Sequence, residues 1–452
     1  MRFITDTNLY PILVGFLSKR IRRSFKIFLV ITICFNLFLT ISLYSQPDSL
    51  YHYLEVAAKN NPTVLQKFSE YQAALQKIPQ VGSLSDPELS MGVFLSPMEL
   101  MDGKQVADIR LMQMLPWFGV LRSAKDEMSM MAKAKFELFR DSKLQVYYDV
   151  QRNWYELYKI QKNIAISEKS IEILKTVERL SIAKYKSSSM GSSSGSLELA
   201  DIYRIQIEAG DLDNSIALLK SKRKTSLAQF NSYLNRPPAS PVFVPESLVP
   251  DSLGSSLIIV SDSMQLNNPM LSMLEYEKQS IEAKRKMVSL TGFPMVGLGL
   301  NYSVIGKTKI PMGTPAMNGM DMIMPMVTVT LPVYRKKHNA MVEEADLLKT
   351  AAMQNYQATS NALQNEYYQA VQLYEDAQRR IRLYDNQYQL ASKSLDLILK
   401  SFSVSTSALT DVLRIQQQTL EYESKHVEAI VDYNIAIAWL RRLGNLEING
   451  NK

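Results

Sequence analysis

Residues 363–398 read LQNEYYQAVQLYEDAQRRIRLYDNQYQLASKSLDLI, and their spacing decides the fold. Leu363, Tyr367, Ala370, Tyr374, Ala377, Ile381, Tyr384, Tyr388, Ala391, Leu395 and Ile398 alternate by four and three. That is a heptad seam sustained over about five repeats, the mark of helices packed lengthwise. No Pro or Gly occurs between Val333 and Gly444. A helix over about 337–400 would run about 95 Å at 1.5 Å per residue. Helices of that length do not pack inside a globule and predict an extended coiled-coil body. The seam uses Ala and Tyr where Leu is usual. Small Ala lets helices approach closely, and Tyr adds apolar area while its hydroxyl can face water. An ordinary dimeric coiled coil and a curved wall of helices with one wet side both fit, and the composition favours the wall.

Working outward, the chain reads as two copies of one plan. Asn60-Asn61-Pro62 recurs as Asn267-Asn268-Pro269, Leu115-Pro116 as Leu331-Pro332, and Asp201-Ile-Tyr-Arg204-Ile-Gln206 as Asp411-Val-Leu-Arg414-Ile-Gln416. The order is kept and the offset stays near 210 residues, as an internal duplication requires. The first copy is expected over 46–236, with strands about 87–95 and 106–115 and long helices about 117–186 and 197–235. The second is expected over 262–444, with strands about 294–305 and 322–332 and long helices about 337–400 and 408–443. A Pro- and Ser-rich linker, 237–261, joins them, and 445–452 forms a C-terminal tail.

The strand candidates alternate with period two. Val296, Leu298, Leu300, Tyr302 and Val304 interleave with Gly297, Gly299, Asn301 and Ser303, and Ile323, Pro325, Val327 and Val329 oppose Met324, Met326, Thr328 and Thr330. Ala107, Ile109 and Leu111 alternate with Asp108, Arg110 and Met112. Runs of about ten residues suffice for a tilted strand to cross a bilayer. A soluble hairpin packed on a helix reads the same way. If the strands span, however, lipid cannot satisfy an open sheet edge, so the sheet must close. Four strands cannot enclose an interior; about eight is the practical minimum. Spanning strands therefore require several chains to pool them.

The remaining composition narrows the class. The chain has 452 residues, 51 Lys+Arg against 44 Asp+Glu and a formal charge of +7. Six of the cations, Arg2, Lys19, Arg20, Arg22, Arg23 and Lys26, stand in residues 1–45 with Asp6 as the one acid. Without them the charge falls to about +2, which does not suit nucleic-acid binding. The basic stretch precedes an apolar run, Ile27 to Tyr44, and Ser45 offers a small residue for cleavage, so 1–45 reads as a signal peptide; a retained anchor is the alternative. The one cysteine, Cys34, lies inside that run. The mature chain then has neither disulfide nor zinc-thiolate chemistry.

This layout resembles the TolC-type outer-membrane efflux protein (outer-membrane factor) family over essentially the whole mature chain. Gln113-Met-Leu-Pro116-Trp117-Phe-Gly119 and Leu331-Pro332-Val-Tyr334 look like its strand-to-helix junctions, and Phe402-Ser-Val-Ser-Thr-Ser-Ala-Leu-Thr-Asp411-Val-Leu413 like its helix tip. The resemblance implies a mainly α fold with a small β part: a periplasmic α-barrel and a homotrimeric, 12-stranded transmembrane β-barrel in outer-membrane lipid of a Gram-negative bacterium. It implies a passive channel for drugs, toxic compounds or metal cations, docked to a periplasmic adaptor (membrane fusion) protein and an inner-membrane resistance-nodulation-division type pump. A type I protein-secretion duct shares the fold. A periplasmic coiled-coil adaptor would lack the two amphipathic hairpins.

It also assigns residues. Asp411 matches a position whose carboxylates ring the trimer axis at the periplasmic gate; the family often has a second acid three residues on, where this chain has Arg414. Asp201 and Arg204 take the same places in the first copy. Asp411 could instead cap a helix, as could Ser407 or Thr410. Adaptor docking is implied at Gly191, Gly195, Val404, Ser405, Thr406 and Ser407, where a flexible Ser/Gly loop is the plain alternative. Trp117, Phe118 and Tyr334 suit a membrane-interface belt or packing at the strand–helix joint. Met98, Met101, Met312, Met317, Met320 and Met322 enrich the hairpin loops; thioethers bind Cu(I) or Ag(I), and Met also fills apolar gaps. His52, His338 and His426 fall far apart in the plan, and no phosphate loop, zinc-helix motif or nucleophile elbow occurs. No enzyme, resident metal or cofactor is expected.

Overall fold

The computed structural model describes residues 50–101, 103–187, 194–309, 315–404 and 406–446. The expected signal peptide, Gly191, Ser405, Met312 and most of the tail lie outside them. Tyr53–Lys452 form one unit.

The elements run α1 (Leu50–Asn60), α2 (Pro62–Gly82), β1 (Glu88–Leu100), β2 (Gly103–Leu115), α3 (Val120–Ser187) and α4 (Ser194–Tyr233). After an irregular crossing come α5 (Leu257–Asn267), α6 (Pro269–Leu290), β3 (Met295–Gly306), β4 (Met322–Thr330), α7 (Arg335–Ser403) and α8 (Leu409–Leu443). The chain is thus mainly helical, with four strands among the described residues. α7 has 69 residues, about 100 Å at 1.5 Å each.

The helices lie side by side, four abreast. α3 packs against α2 and α6 along its first half and against α4 and α8 along its second; α7 packs against α6 and then α8. The heptad seam is the reason α7 can do this. Ala370 and Ala377 are fully buried, and Leu363, Ala391 and Leu395 nearly so. The seam tyrosines fill the spaces between the alanines. Tyr374 stacks on Tyr433 of α8 with ring centroids 5.0 Å apart. Composition points to water-facing hydroxyls, but several find partners inside the wall instead. Tyr433 donates to Tyr374 (3.4 Å), Tyr367 donates to the Leu257 carbonyl (2.8 Å), and burial pushes the Tyr433 phenol up to about 12.

At mid-height, short helices abut long ones end to end. Asn61 accepts from the amides of Thr63 and Val64, capping α2, while its own amide donates to the Tyr233 carbonyl at the end of α4. Asn268 accepts from the Met270 amide, capping α6, and donates to the Leu443 carbonyl at the end of α8. Each side chain satisfies orphan groups of two helix termini. Pro62 and Pro269 follow at the first helical position, where a missing N–H costs nothing. Around this joint Val260, Met264, Leu271, Leu363, Ala370, Leu440 and Leu443 form one apolar cluster.

The Pro-rich crossing is pinned across the helices rather than left as a free linker. Asn231 donates to Pro238 and Ser240 carbonyls, Trp154 to the Phe243 carbonyl, and Tyr53 and Tyr158 accept from the Phe243 and Leu248 amides. Asn434 accepts from the Asp251 amide, and Arg441 pairs with the Asp251 carboxylate at 2.7 Å.

Nearby, α3 sets Asp141 in a half-buried site, where desolvation pushes its carboxyl above the ordinary range; Arg442 opposes that and Glu366, itself paired with Arg442 at 3.3 Å, adds to it. A carboxyl raised in the folded state contributes stability that is complete below the unfolded carboxylate pKa and fades as pH climbs through the raised value. Asp141→Asn should therefore raise Tm at pH 7.5 and leave it unchanged at about pH 2.5, below the unfolded carboxylate range, measured by thermal unfolding in detergent. A lower Tm at pH 7.5 would contradict the sign.

Candidate functional site

The sheet is antiparallel throughout, in the order β1-β2-β3-β4, so the two hairpins lie edge to edge. β2 pairs with β3 over most of its length, from Lys104↔Gly306 to Leu115↔Val296. Each strand reaches further than alternation alone suggests in the first hairpin: β1 continues to Leu100 through a register shift between Val93 and Met98. Pro97 follows Ser96 there, and Pro325 lies in β4. Both prolines are on the two outer strands, where a missing N–H is tolerated.

The register sorts the faces. Leu89, Leu111, Leu300 and Pro325 line up across the four strands, as do Met91, Ile109, Tyr302 and Ile323. Leu115, Val296 and Val329 extend this face at its base, Gln113 is a polar intruder there, and Lys104 with Glu99 ends the face at its far end. The opposite face carries Asp108, Arg110, Asn301, Ser303, Thr328 and Thr330. Ser303 donates to the Asp108 carboxylate at 2.8 Å. Among the described residues no helix packs over either face. The apolar face is accordingly bare: Val93 is 72% exposed, Met91 71% and Val327 70%. Monomeric soluble proteins rarely expose a contiguous apolar face of this size.

Among the described residues, the outer strands β1 and β4 each have a paired neighbour on one side only. The same two flanks carry bare apolar side chains lower down. On one flank, α4 exposes Tyr203, Ile207 and Leu218; on the other, α7 exposes Leu383, Leu390 and Leu397, seven residues apart. This second stripe was hidden in the sequence behind the stronger buried seam; its heptad spacing is the signal that could have found it.

At the base of the sheet the chain turns into the long helices. Gly119, with φ +88, makes the turn after Pro116 that no L side chain would adopt readily, and a Cβ there would press on Leu290. Trp117 stacks on Phe293 at 5.2 Å and belongs to the joint, whereas Phe118 and Tyr334 are 87% and 79% exposed. Sequence reading missed Phe293, whose signal is an aromatic placed directly before Pro294 and β3. Leu84, Leu115, Pro116, Trp117, Pro294 and Val296 line a mainly apolar recess of about 410 Å³ here.

At the far end, Leu174, Val177, Ile205, Phe402, Leu409 and Val412 knit α3, α4, α7 and α8 into a tip. Thr406 and Ser407 donate to the Ser401 and Ile398 carbonyls, satisfying the end of α7. Neither Ser407, Thr410 nor Asp411 caps α8: the N-cap is Ala408, without a side-chain bond, and Asp411 stands in the first turn, where the helix dipole favours an acid. Asp411 pairs with Arg414, and Asp201 with Arg204, each at 3.5 Å. Asp201, Arg204, Ser407 and Thr410 line one cleft of about 440 Å³. Val404 is exposed, while Gly195 lies within the first turn of α4.

Among the described residues no group of three His, Cys, Asp or Glu side chains could hold a metal, and no helix is long and apolar enough to cross a membrane. The latter says nothing of a β-barrel.

No protein-family model matches the chain, and no curated protein matches its sequence. Solved structures do match its fold. The MtrE outer-membrane channel of Neisseria gonorrhoeae superposes with a TM-score of 0.70 at 14% identity, covering 88% of this chain and 89% of that one. The outer-membrane protein VceC of Vibrio cholerae gives 0.70 at 14%, over 87% and 96%. CusC, whose structures concern transmembrane channel formation, gives 0.70 at 13%, over 89% and 95%. The chain therefore has the fold of outer-membrane channels, the TolC-type architecture its sequence resembles.

Proposed function

We propose that the chain is the outer-membrane channel of a tripartite efflux system. It conducts drugs, toxic compounds or metal cations passively from an inner-membrane pump of the resistance-nodulation-division type, through a periplasmic adaptor, to the exterior. The observation that carries this reading is the uncovered four-stranded sheet, apolar on one face, with a free edge at each side. Lipid against the apolar face removes it from water, and pairing of β4 with β1 of another copy removes both edges from lipid.

The flanks support a ring. β1 and α4 belong to one side of the chain and β4 and α7 to the other, each unsatisfied. A contact between unlike flanks is heterologous, and it ends only when the ring closes. Three copies pool twelve strands, enough for a water-filled interior. The bare heptad stripe of α7 would meet the stripe of α4 in the next copy, continuing the wall of helices. The paired Asn61 and Asn268 bridges, and the repeated order of helices and strands around them, support descent of the two halves from one duplicated unit.

Phe118 and Tyr334 suit the inner interface of the bilayer, with Tyr302 seven strand residues beyond the start of β3, or about 23 Å of strand, further out. The tip is then the periplasmic gate and the adaptor-docking end, with Val404, Thr406 and Ser407 at its turn. Asp201 and Asp411 are each compensated within their own chain, by Arg204 and Arg414. The pore mouth is thus a ring of Asp–Arg pairs rather than of bare carboxylates, which weakens its preference for cations.

Cysteine labelling tests the wall. Val327→Cys should react with a lipid-soluble maleimide and Thr328→Cys with a membrane-impermeant one, in outer-membrane preparations. Equal labelling of both would end the reading. For the gate, Arg204→Ala with Arg414→Ala should shift the reversal potential in planar bilayers toward cation selectivity. An unchanged potential would remove these pairs from the conducting path.

A further inference from the structure

The polar face of the sheet carries thioethers that nothing in the fold calls for. Met112 and Met114 on β2 and Met326 on β4 share that face with Asp108, Arg110, Asn301, Ser303 and Thr328. Glycine explains how they gather. Were Gly297 to carry a Cβ, it would lie 2.7 Å from the Met114 sulfur and 3.7 Å from the Met112 sulfur. The two sulfurs therefore converge over the bare backbone of β3. Next along the strand, a Cβ at Gly299 would stand 3.7 Å from both the Met112 methyl and the Met326 Cβ. Met112 thus lies between Met114 and the root of Met326, and register puts Met112, Gly299 and Met326 on one line across the sheet.

Filling a core is the usual work of methionine. Here no described helix covers this face, and the residues around the three methionines are charged, hydroxylic, amide-bearing or glycine, with buried Ile305 further along β3. Met324 and Met322 continue the row on β4 and are 45% and 53% exposed. Neutral thioethers are soft donors with little affinity for the hard cations of the cell and a marked one for Cu(I) and Ag(I). We propose that Met112, Met114 and Met326 form a thioether site for a soft monovalent cation on the inner wall of the channel. It rests on the reading of this face as the channel wall. Uncharged ligands would hold such an ion without trapping it, as a conduit needs.

Purified mature trimer, which lacks Cys34, is titrated with Ag+ by calorimetry in detergent and chloride-free buffer. Saturable uptake of about one ion per chain is expected. Met112→Leu/Met114→Leu/Met326→Leu, which conserves volume, should lose it. The loop variant Met98→Leu/Met101→Leu/Met317→Leu/Met320→Leu should keep it. Absence of saturable binding by the parent protein, or loss with the loop variant alone, overturns the site. Single-channel conductance of the same preparations separates the two readings. Channels that conduct but bind no Ag+ refute this site only, whereas a preparation that forms no channel refutes the wall and the site together.

Discussion

A backbone N–H or C=O facing hydrocarbon has nowhere to place its hydrogen bond, and each such group costs several kcal/mol. This single constraint organises the chain. β1 and β4 leave a ladder of such groups on either side of a sheet whose apolar face is uncovered. One molecule has no means of closing that sheet, because two hairpins curl to too small a circle for any interior. In the proposed assembly each free edge is completed by another copy, and the position of every other element follows from keeping those edges in register.

The helices meet a different constraint. They must stand four abreast over about 100 Å without a globular core behind them. Alanine at the seam brings the axes close, tyrosine fills the gaps, and the hydroxyls find partners inside the wall. Where a short helix meets a long one, a single asparagine serves both termini, on both sides of the chain. The tip closes on an apolar cluster centred on Phe402 and Leu409. Rigidity along the wall and small polar contacts at its end suit a conduit whose movements are confined to its mouth.

Much of this was legible in residues alone. The seam from Leu363 to Ile398, unbroken by Pro or Gly, specified α7, and strict alternation from Val296 to Val304 specified β3. Both signals are local periodicities. The sheet order, the convergence of Met112 and Met114 over Gly297, and the stack of Trp117 on Phe293 depend on which distant segments become neighbours. Period says nothing about that. The Asp–Arg pairs at 201–204 and 411–414 were half legible: their spacing places them one helical turn apart, but the absence of a side-chain cap at Ala408, which leaves Asp411 to the first turn, is a property of the folded tip. The β1 extension to Leu100 was hidden by Pro97, which reads as a strand breaker unless the strand is known to lie at an edge.

The central claim is that several copies close one sheet. Native mass spectrometry of the detergent-extracted mature chain tests it most directly. The account requires a discrete species of three chains that falls apart, and then aggregates, when the detergent is withdrawn. A single-chain species that remains monodisperse in plain buffer would contradict it.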